Sequence, residues 1–203
     1  MNVEFLLTSL VIIASPGTGA LVTLAAGLAR GARASVVAAV GCTLGTLPHM
    51  LAAITGLAAL LHASPMAFEA IKYVGVAYLL YMAWMTLRAD GPLQIAPDGL
   101  ADSDGKVIQQ AVLANLLNPK LSIFFFAFLP QFIGPGEARP TRTMLELSLA
   151  FMAMTFAVFA AYGVIAASFR DRVLSRPGVL HWMRRAFAVT FVALAARLAL
   201  VRL

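Results

Sequence analysis

Between residues 34 and 61 the chain carries no Asp, Glu, Lys or Arg, and the same holds between residues 147 and 169. Runs of that length suit a helix crossing the roughly 30 Å hydrocarbon core of a bilayer at about 1.5 Å per residue. Of the 203 residues, 61% are hydrophobic and 12% charged, against about 25% charged in soluble domains. These features indicate an integral membrane protein. The runs lack the alternating ten-residue pattern of an outer-membrane barrel, so the spans are helical.

Six spans are expected in all. The first covers residues 5–28 and ends at the basic turn Arg30-Gly31-Ala32-Arg33; the second covers 34–61, with a kink at Pro48; the third covers 66–87. Residues 89–106 contain Gly, Pro and four aspartates with few large apolar side chains, which predicts a solvated linker. The fourth span lies within 107–133, the fifth at 147–169 and the sixth at 186–201. The fold class that follows is all-α, with six transmembrane helices arranged as two inverted three-helix repeats. One half is 1–88 and the other 107–203, joined by 89–106 within a single transporter domain.

The charges set an orientation. Nine Lys or Arg fall in the connections after spans one, three and five, against five on the opposite side. The positive-inside rule therefore puts those connections in the cytoplasm and both termini in the periplasm of an inner-membrane protein. Basic residues are scattered between apolar runs, so the net charge of +6 does not form a nucleic-acid surface. Cys42 is the sole cysteine, which rules out an intrachain disulfide and a multi-cysteine metal site. The start Met-Asn-Val-Glu-Phe has no basic n-region, so the first span is expected to remain in the membrane.

Two spans are interrupted. Ser15-Pro16-Gly17-Thr18-Gly19 breaks the first and Asn118-Pro119-Lys120 breaks the fourth, since proline removes a backbone donor and clashes with the preceding turn. In lipid, exposed polar backbone is tolerated only where protein or a water-filled cavity receives it. Pro16 and Pro119 are 103 residues apart, each in the first span of its half, and matching interruptions of this kind point to a transporter binding site. Amides near Thr18, Gly19 and Ala20 would form the positive end of a half-helix able to hold a carboxylate. The unwound carbonyls before Pro16, together with Asn118 and Gln131, could receive an ammonium. The combination suits a zwitterion, although proline and glycine can also simply kink a packed span.

The run 15–19, the run from Ile71 to Trp84 (IKYVGVAYLLYMAW), and Asn118-Pro119-Lys120 followed by Phe124 to Phe132 (FFFAFLPQF) resemble the lysine exporter and homoserine/threonine resistance (LysE/RhtB) transporters. The resemblance covers nearly the whole chain. It implies proton-motive-force-driven export of amino acids or close derivatives, with no cofactor and no enzymatic activity. This chain departs from the family pattern at Thr18, where a second proline is usual, and at Gly19, where asparagine is common.

Other residues carry open alternatives. His49 can carry a proton or contact substrate, or it can be a neutral ring bonded to a carbonyl freed by the kink. Lys120 can pair with a substrate carboxylate, stabilise its own break, or snorkel to the surface. Thr46 and Thr43, beside Gly41 and Gly45, can line the pathway or serve helix packing. Tyr78 can offer its hydroxyl to substrate or pack, and the phenylalanines at 124, 125, 126 and 128 are expected to face lipid and neighbouring helices. A metal-cation exporter is the alternative function, with Cys42 and His49 as its only candidate ligands; a non-transport membrane subunit is a further one, and an intramembrane enzyme lacks a paired acid and base or an H-E-x-x-H helix. The partners expected are a small amino-acid substrate and the bilayer, and the chain is compatible with a homo-oligomer.

Overall fold

The computed structural model describes residues 2–15, 17–63, 65–88, 103–134, 136–168 and 177–200. Among them there are helices and turns and no strands. Helix α1 (Val3–Ala14) is capped by Asn2, whose Oδ1 accepts from the Phe5 amide at 2.9 Å, and Glu4 sits in its first turn, where a negative charge suits the positive helix end. It ends at Ser15, and α2 (Thr18–Arg30) starts after Gly17 at 58° to it. Gly31, at φ 87°, turns the chain into α3 (Ala32–Leu44), a conformation that favours glycine.

The chain continues through Gly45-Thr46 into α4 (Leu47–Ala63) and then α5 (Pro65–Arg88). The interruption expected at Pro48 thus falls two residues earlier, and Pro48 occupies the first turn of α4, where a missing N–H costs least. Residues 89–102 of the expected linker lie outside the described residues, and its last part is not loop: Ser103 caps α6 (Asp104–Leu116) by accepting from the Lys106 amide. Asn118 caps α7 (Pro119–Ile123), which runs on as a π-helical turn (Phe124–Phe128) and a 3-10 turn (Leu129–Phe132), bent 52° from α6. Last come α8 (Pro140–Ser168) and α9 (Pro177–Leu200). The final helix begins nine residues before the expected 186, so Arg184 and Arg185 belong to it and not to the preceding connection.

Among the described residues, two helical stretches, Ala32–Gly56 and Pro140–Ser168, are long and apolar enough to cross a membrane. Counting each bent pair as one span brings the total to four.

Helix α8 organises the packing. Its buried residues Met144, Leu147, Ser148, Phe151, Thr155, Phe159, Gly163 and Ala166 recur every three or four positions and form one face. That face meets α2 and α3, and reaches α1 and α4 as well, while α5 and α9 pack on each other. The phenylalanine block, expected to face lipid in part, is core: Phe124, Phe125 and Phe128 are fully buried, and Phe124 stacks on Phe151 with ring centroids 4.1 Å apart. Phe125 also meets the Phe151 ring edge-on, so two successive phenylalanines of the π-helical turn pack on α8. Helix α3 lies close on α6 because Gly41 and Gly45 have no side chain there. A Cβ on either would come 2.7 Å from Ala111 or Asn115 respectively.

Candidate functional site

A proline leaves the carbonyl four residues before it without its helical donor. For Pro16 that carbonyl is Ile12 O, and for Pro119 it is Asn115 O. Neither is left bare. Ile12 O accepts from Ser15 Oγ at 2.7 Å and from Lys120 Nζ at 2.9 Å. Asn115 O accepts from the Asn118 amide at 3.0 Å and faces His49 Nε2 at 3.1 Å. A carbonyl can only accept, so Nε2 carries a proton; Nδ1 then faces Ser122 Oγ at 3.1 Å.

The two breaks are also tied directly to each other. From the second, Lys120 Nζ donates to Ser15 O at 2.9 Å and approaches Ser15 Oγ at 3.4 Å. From the first, Thr18 Oγ1 donates to Ala114 O at 2.9 Å. Helix α8 contributes Tyr162, whose hydroxyl donates to Ala14 O at 2.9 Å. Asn118 Oδ1 accepts from the Lys120 amide at 3.1 Å, fixing the start of α7 as an N-cap, while its Nδ2 reaches Asn115 Oδ1 at 3.4 Å. Asn115 Nδ2 in turn donates to Cys42 O at 2.7 Å, linking the second break to α3.

Close approach explains the small residues. A Cβ on Gly17 would lie 2.9 Å from Lys120 Nζ, and one on Gly19 would collide with Asn115 Oδ1. Lys120 is only 5% exposed, yet among the described residues its side chain meets oxygens of Ile12 and Ser15 and no carboxylate. Its charge is therefore held by oxygen dipoles at the C-terminal, negative end of α1 and not by a carboxylate. Beside it lies a cavity of about 10 Å³, room for about one water. Apolar Ile12, Ile13, Leu121, Phe151 and Phe159 line it, with Thr155, Asn115, Asn118 and Lys120 supplying the polar groups.

The family described as LysE type translocator matches residues 10–202. The chain belongs to that family. A membrane protein of Vibrio cholerae, described as uncharacterized, is 31% identical over 93% of this chain and 91% of its own length. The homoserine/homoserine lactone efflux protein of Salmonella typhimurium is 29% identical over 98% of this chain and 95% of its own. The leucine efflux protein of Klebsiella pneumoniae is 28% identical over 96% and 92% respectively. No solved structure matches the chain.

In this LysE type translocator, Ser15, Gly17, Thr18, Gly19, Asn118, Pro119 and Lys120 come together around the crossing of the two breaks, and His49 joins them through Asn115 O. Pro16 lies outside the described residues. Gln131 sits on the 3-10 turn, where its Nε2 donates to Ala127 O at 2.7 Å and its buried Oε1 has no partner among the described residues. Thr46 donates to Thr43 O within its own turn, and the recorded contact of Tyr78 is with Tyr81 at 6.2 Å between ring centroids. Cys42 and His49 have separate partners, Cys42 Sγ facing Gly19 O at 3.5 Å and Thr23 Oγ1 at 3.8 Å. Among the described residues, no three His, Cys, Asp or Glu converge on one point.

Sequence reading overlooked Asn115, Ser122 and Tyr162. Asn115 could have been found as a polar residue in an apolar helix, three positions before Asn118 and so on the same face. Nothing local marks Ser122 or Tyr162, whose partners are 73 and 148 residues away.

Proposed function

We propose that this chain is a secondary exporter of neutral amino acids or close derivatives across the inner membrane, driven by the proton motive force. The observation that carries the reading is the meeting of the two breaks: the trailing end of the leading half-helix in each pair, α1 and α6, accepts from a side chain of the other broken segment. Membership of a translocator family, and relatives named for homoserine and leucine efflux, supports the same reading. The cavity lining favours a neutral side chain, since its one charged group is a cation and the rest is mostly apolar. A lysine-like substrate would find no carboxylate among the described lining residues.

In the proposed architecture the halves 1–88 and 107–203 are inverted three-helix repeats, with the bent pairs as spans one and four and both termini periplasmic. The exposed Arg33–Asp104 pair, at 2.9 Å, fits this arrangement, because it joins the connection after span one to the start of span four, which share a side. The substrate site comprises Ser15, Pro16, Gly17, Thr18, Gly19, Asn118, Pro119 and Lys120, with Gln131 further along the second segment. His49, with Thr46 and Tyr78, belongs to the pathway or to coupling. One proton moving down about 150 mV supplies roughly 3.5 kcal/mol, equivalent to a gradient of a few hundredfold.

The test is efflux of labelled leucine, homoserine and threonine from loaded vesicles, with and without a proton ionophore. Export faster than from protein-free vesicles, slowed by the ionophore, is the expected result. Efflux of a metal ion in place of any amino acid would sink the proposal, and indifference to the ionophore would sink its energetic part.

A further inference from the structure

Among the described residues Lys120 is a buried cation with no carboxylate partner, and it occupies a cage of oxygens that any ammonium would fit. Its three donors face Ile12 O and Ser15 O, both at 2.9 Å, and Ser15 Oγ at 3.4 Å. The cage exists because Pro16 frees Ile12 O, and it lies at the end of α1 where helix dipoles favour positive charge. Nothing about the cage distinguishes a lysine ammonium from the α-ammonium of an amino acid. Lys120 and the cage residue Ile12 both line the adjoining cavity, with Asn118, Asn115 and Thr155, so the cage borders the space a ligand would use.

We propose that Lys120 is a tethered stand-in for the substrate's ammonium: an arriving zwitterion takes the Ile12 and Ser15 carbonyls with its own ammonium, and its carboxylate pairs with the displaced Nζ. This rests on the amino-acid-exporter reading above and specifies how that site chooses its substrate. The exchange conserves hydrogen bonds in the cage and gives the buried lysine the counter-ion it lacks. A flexible four-carbon stem lets Nζ move without moving α7. Compounds carrying only one of the two charges fare badly for different reasons. An amine without a carboxylate must expel a cation into a cavity with no anion, and an N-acylated amino acid cannot fill the cage that Nζ would have to leave.

The experiment compares leucine, leucinamide and N-acetylleucine as competitors of labelled leucine efflux, with homoserine and its amide in parallel. It uses the full-length protein in vesicles and the variants Lys120→Gln and Lys120→Met. Wild type should prefer leucine to leucinamide by about tenfold to a hundredfold, the worth of a charge-assisted hydrogen bond. In the variants the preference should fall to about one, with leucine weakened and leucinamide bound as well as or better than by wild type, because the cage has been vacated. A lysine that merely caps α1 would weaken both ligands together and leave their ratio unchanged, which overturns the proposal. If neither variant folds, the wild-type ratio decides: leucinamide competing as well as leucine overturns the exchange. Leucine or homoserine efflux with no discrimination defeats this inference alone, whereas absence of any amino-acid efflux defeats the exporter reading.

Discussion

Asn115 should be the residue whose loss most damages the crossing of the breaks. It is 1% exposed and serves three partners: Nδ2 donates to Cys42 O, Oδ1 receives Asn118 Nδ2, and its main-chain oxygen faces His49. Replacement by alanine keeps the last and removes the first two. Cys42 O is then stranded, because the Thr46 amide, its ordinary helical donor, turns instead to Thr43 O at 3.1 Å. A buried acceptor left unpaired costs about 1–3 kcal/mol, and loss of the amide–amide contact and of side-chain packing adds to it. We predict a destabilisation of about 3 kcal/mol, or roughly 6–12 °C in Tm by the scaling for domains of this length. Thermal unfolding of the purified variant in detergent measures the shift, and labelled efflux measures the accompanying loss of transport. A Tm within about 1 °C of wild type would show that Cys42 O finds another donor, and the reasoning would fail.

Gly17→Leu should abolish efflux while the protein still inserts and folds, since its first side-chain carbon already falls 2.9 Å from Lys120 Nζ; membrane fractionation beside the efflux assay separates the two outcomes. Asn118→Ala removes the N-cap of α7, a loss of about 1 kcal/mol in stability, and should stop transport; normal efflux from both variants would mean that the breaks are only kinks. Pro119→Ala supplies a donor for Asn115 O and competes with His49, so stability should hold or rise while efflux falls; a variant that transports normally would contradict this. Arg33→Ala should change stability by less than about 1 kcal/mol, because the Arg33–Asp104 pair is exposed on both sides, and a larger drop in Tm would show that the pair is coupled to the core.

The breaks were legible in the sequence because proline in an apolar run has few readings, and the helices because charge-free stretches of that length have few folds. What receives the freed backbone was not legible. From sequence Lys120 suits a substrate partner, a stabiliser of its own break, or a snorkelling end; at 5% exposure it does none of the last, and it stabilises the other break, 105 residues away. His49 bonded to a freed carbonyl was one of two readings, but the carbonyl comes from the second break and not from its own kink. The phenylalanine block shows a different limit. Apolar periodicity cannot tell a residue facing lipid from one facing α8, because both environments are apolar. The early start of α9 escaped notice for a related reason: arginines at 184 and 185 read as loop, although long basic side chains tolerate a helix near its end.

The two prolines produce equivalent vacancies with different occupants, and that difference bears on how the site could open. Ile12 O and Asn115 O are related by the same 103-residue spacing as Pro16 and Pro119, yet one receives a lysine ammonium and the other a histidine ring. A cavity of about 10 Å³ cannot admit an amino acid, so entry requires the contacts that bridge the breaks to part. Those contacts are few. The Lys120 bonds to Ile12 and Ser15 are charge-assisted, about 1.5–3 kcal/mol net each, and the Thr18 bond to Ala114 is neutral, about 0.5–1.5 kcal/mol. Their sum is about 3.5–7.5 kcal/mol, equal to or up to about twice the roughly 3.5 kcal/mol of one proton under the exporter proposal. A substrate that replaces the lysine in its cage lowers the cost further, so opening on the first break would depend on the ligand. Under the exchange proposed for Lys120, the first break is therefore the one whose contacts answer to the ligand.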